Sequence, residues 1–175
     1  MKRFSFKIAL TAIYTVLALI SFVVESLLPT LYFPGARVGL SNVFILLAVI
    51  TVGWQYGFIV LIIKCLLGSL FVGNFSAIIY SLPSGVITLA IEIIILRFIK
   101  KTSVVSVSVL GGVMNVLLQN ATFCLVTKST AYLTYLPYLA LIGAVAGSVV
   151  GFIVYLIIKK FPSVNKGDIE KTVEN

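Results

Sequence analysis

The first 28 residues read MKRFSFKIALTAIYTVLALISFVVESLL, a short basic start followed by a long apolar run. Lys2, Arg3 and Lys7 lie before or at the start of this run, and Glu25 is the one charge inside it. A helix needs about 20 mostly apolar residues to cross the hydrocarbon core of a bilayer. The stretch Ile8–Leu28 therefore predicts a first transmembrane span whose basic end faces the cytoplasm.

The other basic residues repeat this arrangement. Ten of the 13 Lys and Arg residues fall into three short clusters separated by long apolar runs. The clusters are Lys2-Arg3-Lys7, Arg97-Lys100-Lys101 and Lys159-Lys160-Lys166-Lys171. Because basic residues stay on the cytoplasmic side, an even number of spans separates each cluster from the next. The N-terminus, the middle loop and the C-terminus are therefore predicted to be cytoplasmic.

The apolar runs predict an all-α integral membrane protein with six transmembrane helices. The sequence is 61% hydrophobic and 10% charged, whereas soluble domains are about 45–50% apolar and about 25% charged. The predicted spans are Ile8–Leu28, Val38 to the turn at Gly53, Tyr56–Val72, Ser76–Arg97, Val104–Thr127 and Tyr135–Ile158. They form one domain, residues 1–161, followed by a polar, disordered cytoplasmic tail, residues 162–175. The second span is short and is expected to be tilted or re-entrant, and Pro83-Ser84-Gly85 is expected to break the fourth.

Several function classes are excluded by composition. The net charge of +8 does not indicate nucleic-acid binding, because the basic residues flank spans instead of forming one face, which suits lipid headgroups. A cleaved signal peptide is not predicted, because no small-x-small site follows the first run. The sequence has no histidine, one aspartate (Asp168) and no phosphate-binding loop of the G-x-x-x-x-G-K-[ST] type. We therefore predict no catalytic residue, no metal site and no cofactor, and we interpret Cys65 and Cys124 as reduced packing residues.

The segment Pro34-Gly35-Ala36-Arg37-Val38-Gly39-Leu40-Ser41-Asn42 carries the first candidate binding residues. Its glycines allow close backbone approach, and Arg37 offers forked donors suited to carboxylate or phosphate. Asn42 adds an amide at the start of the second span, where free helix N–H groups favour anions. The alternative is a simple turn in which Arg37 extends toward the membrane surface. Glu25, at the outer end of the first span, is either a functional charge inside the membrane or simply solvated, and solvation is expected.

Charged and polar groups inside spans are the other candidates, because burying them in a membrane is costly. Lys64, in the third span, either faces a ligand cavity or forms a structural ion pair with Glu92 in the fourth. In the fifth span, Asn115 and Gln119 lie one turn apart on one face. They either line a cavity, as the neighbouring Asn120 also can, or hold helices together. Asn74, Tyr80, Ser81 and the Pro83 break indicate a site in the outer half of the molecule.

Two stripes of small residues bear on helix packing. Gly143, Gly147 and Gly151 recur every four residues in the sixth span, a spacing that allows close helix contact and is expected to serve packing within the chain. Ser5, Ala9 and Ala12 lie along one side of the first span and are candidates for docking another membrane subunit.

Three blocks of the sequence resemble a known family over nearly the whole chain, about Ile8 to Lys160. The segment 34–42 is similar to the signature P-G-x-[KR]-[LV]-G-L-[AS]-N, and 64–73, KCLLGSLFVG, is similar to a second block in which Arg is commoner at the first position. The stretch from Gly111 to Gln119 resembles a third block, with Asn115-Val116 where His-Asn is common. The family is heptaprenyl diphosphate synthase component I, also called the Gx transporter family. It resembles the S components of energy-coupling factor (ECF) transporters.

The resemblance implies two functions. In the first, the chain is the substrate-binding subunit of an ECF-type uptake transporter in the bacterial cytoplasmic membrane. It would bind a small vitamin-like or isoprenoid-related molecule through Arg37, Asn42, Lys64, Asn74, Asn115 and Gln119, and it would need a coupling membrane subunit and ATPases. S components often carry Ala-x-x-x-Ala on the first helix, where this chain has Ser5, Ala9 and Ala12. In the second, it is a non-catalytic membrane partner of a polyprenyl diphosphate synthase, whose catalytic subunit supplies the magnesium site.

Overall fold

The described part of the chain forms six α-helices and one short 3₁₀ helix. The computed structural model describes residues 2–27, 39–99, 102–129 and 131–160, and no strand occurs among them. The α-helices are α1 (Lys2–Leu27), α2 (Asn42–Thr51), α3 (Trp54–Val72), α4 (Ser76–Phe98), α5 (Val104–Thr127) and α6 (Leu136–Lys160), and the 3₁₀ helix is Ala131–Tyr135. The predicted all-α fold is confirmed, whereas the predicted tail, residues 162–175, lies outside the described residues.

Five helices are long and apolar enough to cross a membrane. They present large apolar side chains outward: Phe6 is 67% exposed, Phe71 72% and Leu141 68%. Exposed apolar surface on this scale is unfavourable in water but suits contact with lipid tails. The architecture is therefore that of a multi-pass membrane protein.

Helix α2 is too short to cross the bilayer alone. It has ten residues, which at about 1.5 Å per residue is about 15 Å, half of the hydrocarbon thickness of about 30 Å. Glycines limit it on both sides, since Gly39 has φ +77° and Gly53 has φ +141°. The expectation that the second span is short is confirmed, and its helix begins at Asn42, not at Val38.

The core is built around α2. Seven of its ten residues are buried, which fits a helix that is apolar all round. One side of α2 packs with α1, α3 and α4 in a cluster that includes Val49, Val60 and Leu89. Its other side packs against Val150 and Val154 of α6. Protein therefore surrounds α2 and fixes the position of its first residue, Asn42.

The described basic ends of the helices lie on one side. Near the start of α1, the Lys7 ammonium lies 5.9 Å from the ring centroid of Tyr56 at the start of α3. At the other end of α3, Gly73 adopts a left-handed conformation and turns the chain into α4, as the sequence predicts. Because α4 runs back from this turn, Arg97 ends on the side of Lys7. This agrees with the orientation predicted from the basic clusters.

The predicted break in the fourth span is wrong, because α4 continues through Pro83. Proline removes one helical hydrogen bond and crowds the preceding turn. Two serine hydroxyls near Pro83 bond helix carbonyls: Ser84 Oγ donates to Tyr80 O at 2.8 Å, and Ser81 Oγ donates to Ala77 O at 2.7 Å. Membrane helices tolerate proline, because neighbouring helices and small local adjustments compensate for the lost hydrogen bond.

The glycine stripe of α6 packs against α5, as expected for packing within the chain. A Cβ atom at Gly143 would lie 2.8 Å from Gly112 O, and one at Gly147 would lie 2.8 Å from Val109 Cα. A Cβ at Gly151 would meet Val105 Cα at the same distance. These neighbours are backbone atoms and cannot rotate away. The two helices therefore touch backbone to backbone, without side chains between them.

Candidate ligand-binding site

A turn at the head of α2 positions the first polar groups. Gly39 adopts the left-handed conformation that glycine accepts without strain, and its carbonyl accepts a hydrogen bond from Asn42 N–H at 2.8 Å. The next N–H, that of Leu40, donates to carboxylate Oε1 of Glu25 near the end of α1. Glu25 is buried, so the expectation that it is solvated is wrong. Its carboxylate holds the end of α1 against the head of α2.

Lys64 lies near the middle of α3 and is only 6% exposed. Its Nζ donates to Asn42 Oδ1 at 3.0 Å and lies 5.8 Å from the ring centroid of Phe22. The ring is held against Gly68, where a Cβ would lie 2.6 Å from Phe22 Cδ1. Hydrogen bonding and a cation–π contact both offset the cost of desolvating an ammonium group. The cation is thus fixed at mid-membrane by contacts from α1 and α2.

Helix α5 contributes two amides. Asn115 and Gln119 line the same cavity as Lys64. Gln119 is 8% exposed, and its Oε1 is buried without a hydrogen-bond partner among the described residues. Asn120 differs, because its Nδ2 donates to Tyr132 O in the 3₁₀ helix at 3.1 Å. Asn120 therefore ties the 3₁₀ helix to α5 and is absent from the cavity lining.

These groups surround a small polar cavity of about 20 Å³. A water molecule needs about 10–15 Å³ on this measure, so the cavity holds about one water. A space of this size must widen to admit a larger molecule. Its walls come from α1, the turn before α2, and α2 to α5: Phe22, Glu25, Gly39, Ser41, Asn42, Leu61, Lys64, Cys65, Ser81, Gly85, Asn115 and Gln119.

The structure brings together four of the six binding residues predicted from the sequence: Asn42, Lys64, Asn115 and Gln119. Asn74 does not line this cavity. It is exposed in the turn before α4, where its Oδ1 accepts a hydrogen bond from Ala77 N–H at 3.3 Å. Its amide thus serves the start of that helix. Arg37 lies outside the described residues.

A second cavity of about 20 Å³ lies beside the first, with Asn42 and Gly39 in the walls of both. Glu92 lines the second cavity together with Ser108, Gly112 and Gly147. Its carboxylate lies where a side chain at Gly111 would stand. Lys64 therefore lines the first cavity and Glu92 the second. The two side chains that the sequence suggested as an ion pair lie in separate cavities, which share Asn42.

Sequence reasoning missed several residues of the wall, among them Phe22, Gly85 and Ser41. Phe22 looks like an ordinary core residue, and only its contact with the Lys64 ammonium gives it a role in the site. Gly85 packs against Leu61, since a Cβ added at Gly85 would lie 2.9 Å from Leu61 Cδ1. In the sequence, Gly85 indicates only a helix break. Ser41 is buried at the head of α2. The feature of the sequence that could have indicated a role for Ser41 is its position between Gly39 and Asn42.

A comparison with protein-family models identifies the family of this chain. The model described as heptaprenyl diphosphate synthase component I matches residues 14–157. The chain belongs to the heptaprenyl diphosphate synthase component I family. The matched range contains every residue that lines the first cavity, whereas the docking candidates Ser5, Ala9 and Ala12 precede it. Neither a search of the curated proteins nor one of the solved structures finds a match.

The turn at Gly39 gives a prediction with a matched control in the same chain. Gly39→Ala should lower the free energy of unfolding by about 1–2 kcal/mol, the usual cost of a left-handed non-glycine residue. The new Cβ would also lie 3.0 Å from Asn42 Nδ2 and disturb the amide that bonds Lys64. Gly73→Ala creates a similar strain, at φ +71°, with no atom within 4 Å of the new Cβ.

Both variants should therefore lose a similar amount of thermal stability in detergent. Only Gly39→Ala should also weaken retention of a ligand that copurifies with the protein. Equal ligand retention in the two variants would show that the turn does not support the binding residues.

Proposed function

We propose that this protein is the substrate-binding membrane subunit of an uptake transporter, similar to the S components of ECF transporters. The observation that carries the proposal is Lys64, a cation near the middle of a membrane helix that is bonded to Asn42 and faces a cavity. Ionisable groups at this depth are expensive and mark ligand or ion sites more often than structural ones. The amides of Asn115 and Gln119 add polar groups on the facing helix.

In the proposed site, Lys64 and Asn42 bind the negatively charged part of a small molecule. Arg37, two residues before Gly39 in the sequence, is proposed as a second cationic contact. The ligand enters from the outer side, since Lys2, Lys7 and Arg97 mark the inner side. Closure around it excludes water, which strengthens every charge contact in the cavity.

The second candidate function is a non-catalytic component of a polyprenyl diphosphate synthase. The description of the family favours it, because it names a component of heptaprenyl diphosphate synthase. No group of three or more His, Cys, Asp or Glu residues that could hold a metal ion occurs in the described part of the chain. On this reading, the partner subunit would supply the magnesium chemistry, and the cavity would bind a diphosphate group.

Affinity purification in mild detergent from the native host, followed by mass spectrometry, separates the two candidates. Recovery of two ATPases and a coupling membrane protein supports the transporter. Recovery of an aspartate-rich prenyl synthase supports the second candidate and overturns the first. If neither class of partner is recovered, both candidate functions are contradicted.

The same purification tests the docking stripe on α1. Ala9 and Ala12 are exposed and small, so another helix can approach them closely. Ala9→Trp should reduce recovery of the coupling membrane protein at least about tenfold, because the loss of close packing exceeds about 1.4 kcal/mol. Leu141→Trp, on the outward face of α6, is the control and should leave recovery unchanged. Full recovery with Ala9→Trp would place the docking surface elsewhere.

A further inference from the structure

The first cavity contains a hydrogen-bond acceptor that no described residue satisfies. Gln119 is more than nine-tenths buried, and its Oε1 has no hydrogen-bond partner among the described residues. Leaving such a group unpaired is unfavourable, because it has lost its hydrogen bonds to water. Gln119 also lines the cavity that contains Lys64.

A purely structural role does not account for this amide. Amides that hold membrane helices together do so by hydrogen bonds to another segment. The neighbouring Asn120 does this, with its bond to Tyr132 O at 3.1 Å. Gln119 has no such bond from its Oε1 to any described residue. Its acceptor is therefore available to a molecule inside the cavity.

We infer that the ligand of this cavity is a small anion that also carries an N–H or O–H donor, and that Gln119 accepts a hydrogen bond from this donor. The inference rests on the proposed function and narrows its ligand class. Lys64 and Asn42 bind the acidic group, and Gln119 on α5 binds the donor. Phe22, Leu61 and Cys65 add apolar groups to the lining of the same cavity.

This ligand class differs from a simple prenyl diphosphate. A hydrocarbon tail has no donor, so it would leave Gln119 Oε1 unpaired in the occupied site. Sites that hydrogen-bond a polar group of their ligand discriminate strongly against analogues that lack it. Hydroxy acids, amide-bearing acids and heteroaromatic acids with a ring N–H satisfy both ends of the cavity.

The test compares Gln119→Met with a matched control, Thr88→Val. Thr88 Oγ1 is also buried without a partner among the described residues, but Thr88 does not line the cavity. Each change replaces an unpaired polar group by an apolar group of similar size, so each should leave the thermal stability of ligand-free protein unchanged or raised. Only Gln119→Met should weaken ligand binding, by at least about tenfold, the effect of losing one hydrogen bond.

Full-length wild type, Gln119→Met, Thr88→Val and Lys64→Met are purified from native membranes into nanodiscs. Small molecules released from each are identified by mass spectrometry, and farnesyl diphosphate is added as a probe without a donor on its tail. The expected result is an acid with an N–H or O–H group that wild type and Thr88→Val retain and Gln119→Met loses.

Three other results are decisive in different ways. If wild type and Gln119→Met bind farnesyl diphosphate equally and Lys64→Met does not, the inference is overturned while a binding site at Lys64 stands. If nothing is retained and farnesyl diphosphate binds no variant, the proposed function fails together with the inference. A large loss of thermal stability in Gln119→Met alone would assign the amide to helix packing and also overturn the inference.

Discussion

Lys64→Met is expected to abolish ligand binding while the protein still folds. Methionine keeps most of the length and apolar stem of lysine, so the packing of α3 is preserved. The change removes the ammonium that contacts Asn42 Oδ1 and the Phe22 ring. Truncating one partner of a buried charge contact costs about 2–5 kcal/mol, which corresponds to a loss of affinity of about 30- to 5,000-fold.

The measurement is the affinity of purified protein for the molecule that copurifies with wild type. Lys128→Met is the control, because Lys128 is exposed in the turn after α5 and its removal changes the net charge equally. If Lys64→Met and Lys128→Met both bind the ligand with wild-type affinity, the Lys64 ammonium does not take part in ligand binding. Lys64 would then have a purely structural role.

Gly147→Ala is expected to destabilise the protein strongly for a change of one methyl group. The added Cβ would lie 2.8 Å from Val109 Cα, a contact that only separation of α5 and α6 can relieve. Overpacking of this kind costs about 1–3 kcal/mol. The cost is at the upper end here, because the opposing atoms belong to backbone and cannot change rotamer.

Val145→Leu is the control for this change. It also adds one carbon to α6, but Val145 is 67% exposed on the outward face. Surface substitutions away from special features stay within about 0.5 kcal/mol. Thermal unfolding in one detergent compares the two variants. Equal midpoints would mean that the glycine contact between α5 and α6 is loose in solution.

The fold followed from sequence because its signals are repeated and local. Each long helix carries its own apolar run, and the basic residues at the helix ends predict the orientation without any tertiary information. Pro83 shows where local reasoning failed. A proline predicts a break from its own chemistry, whereas α4 continues through Pro83, because neighbouring helices and local adjustments in a membrane protein compensate for one lost hydrogen bond.

The site was predictable where a polar residue interrupts an apolar run. Lys64, Asn115 and Gln119 stand out because polar groups are rare in membrane helices. Glu25 was misjudged, because its partner is the backbone N–H of Leu40, fifteen residues away, and backbone groups leave no signature in sequence. Asn74 was included as a polar residue at a helix end. Such residues satisfy free helical N–H groups as readily as they bind ligands.

The backbone contact between α5 and α6 has a mechanical consequence for the cavity. Helices that touch through glycine have no side chains between them that could change rotamer, so the pair behaves as one rigid body. Asn115 and Gln119 belong to this body, whereas Lys64 and Asn42 stand on α3 and α2. Entry of a molecule larger than one water must therefore shift the other helices away from a fixed wall.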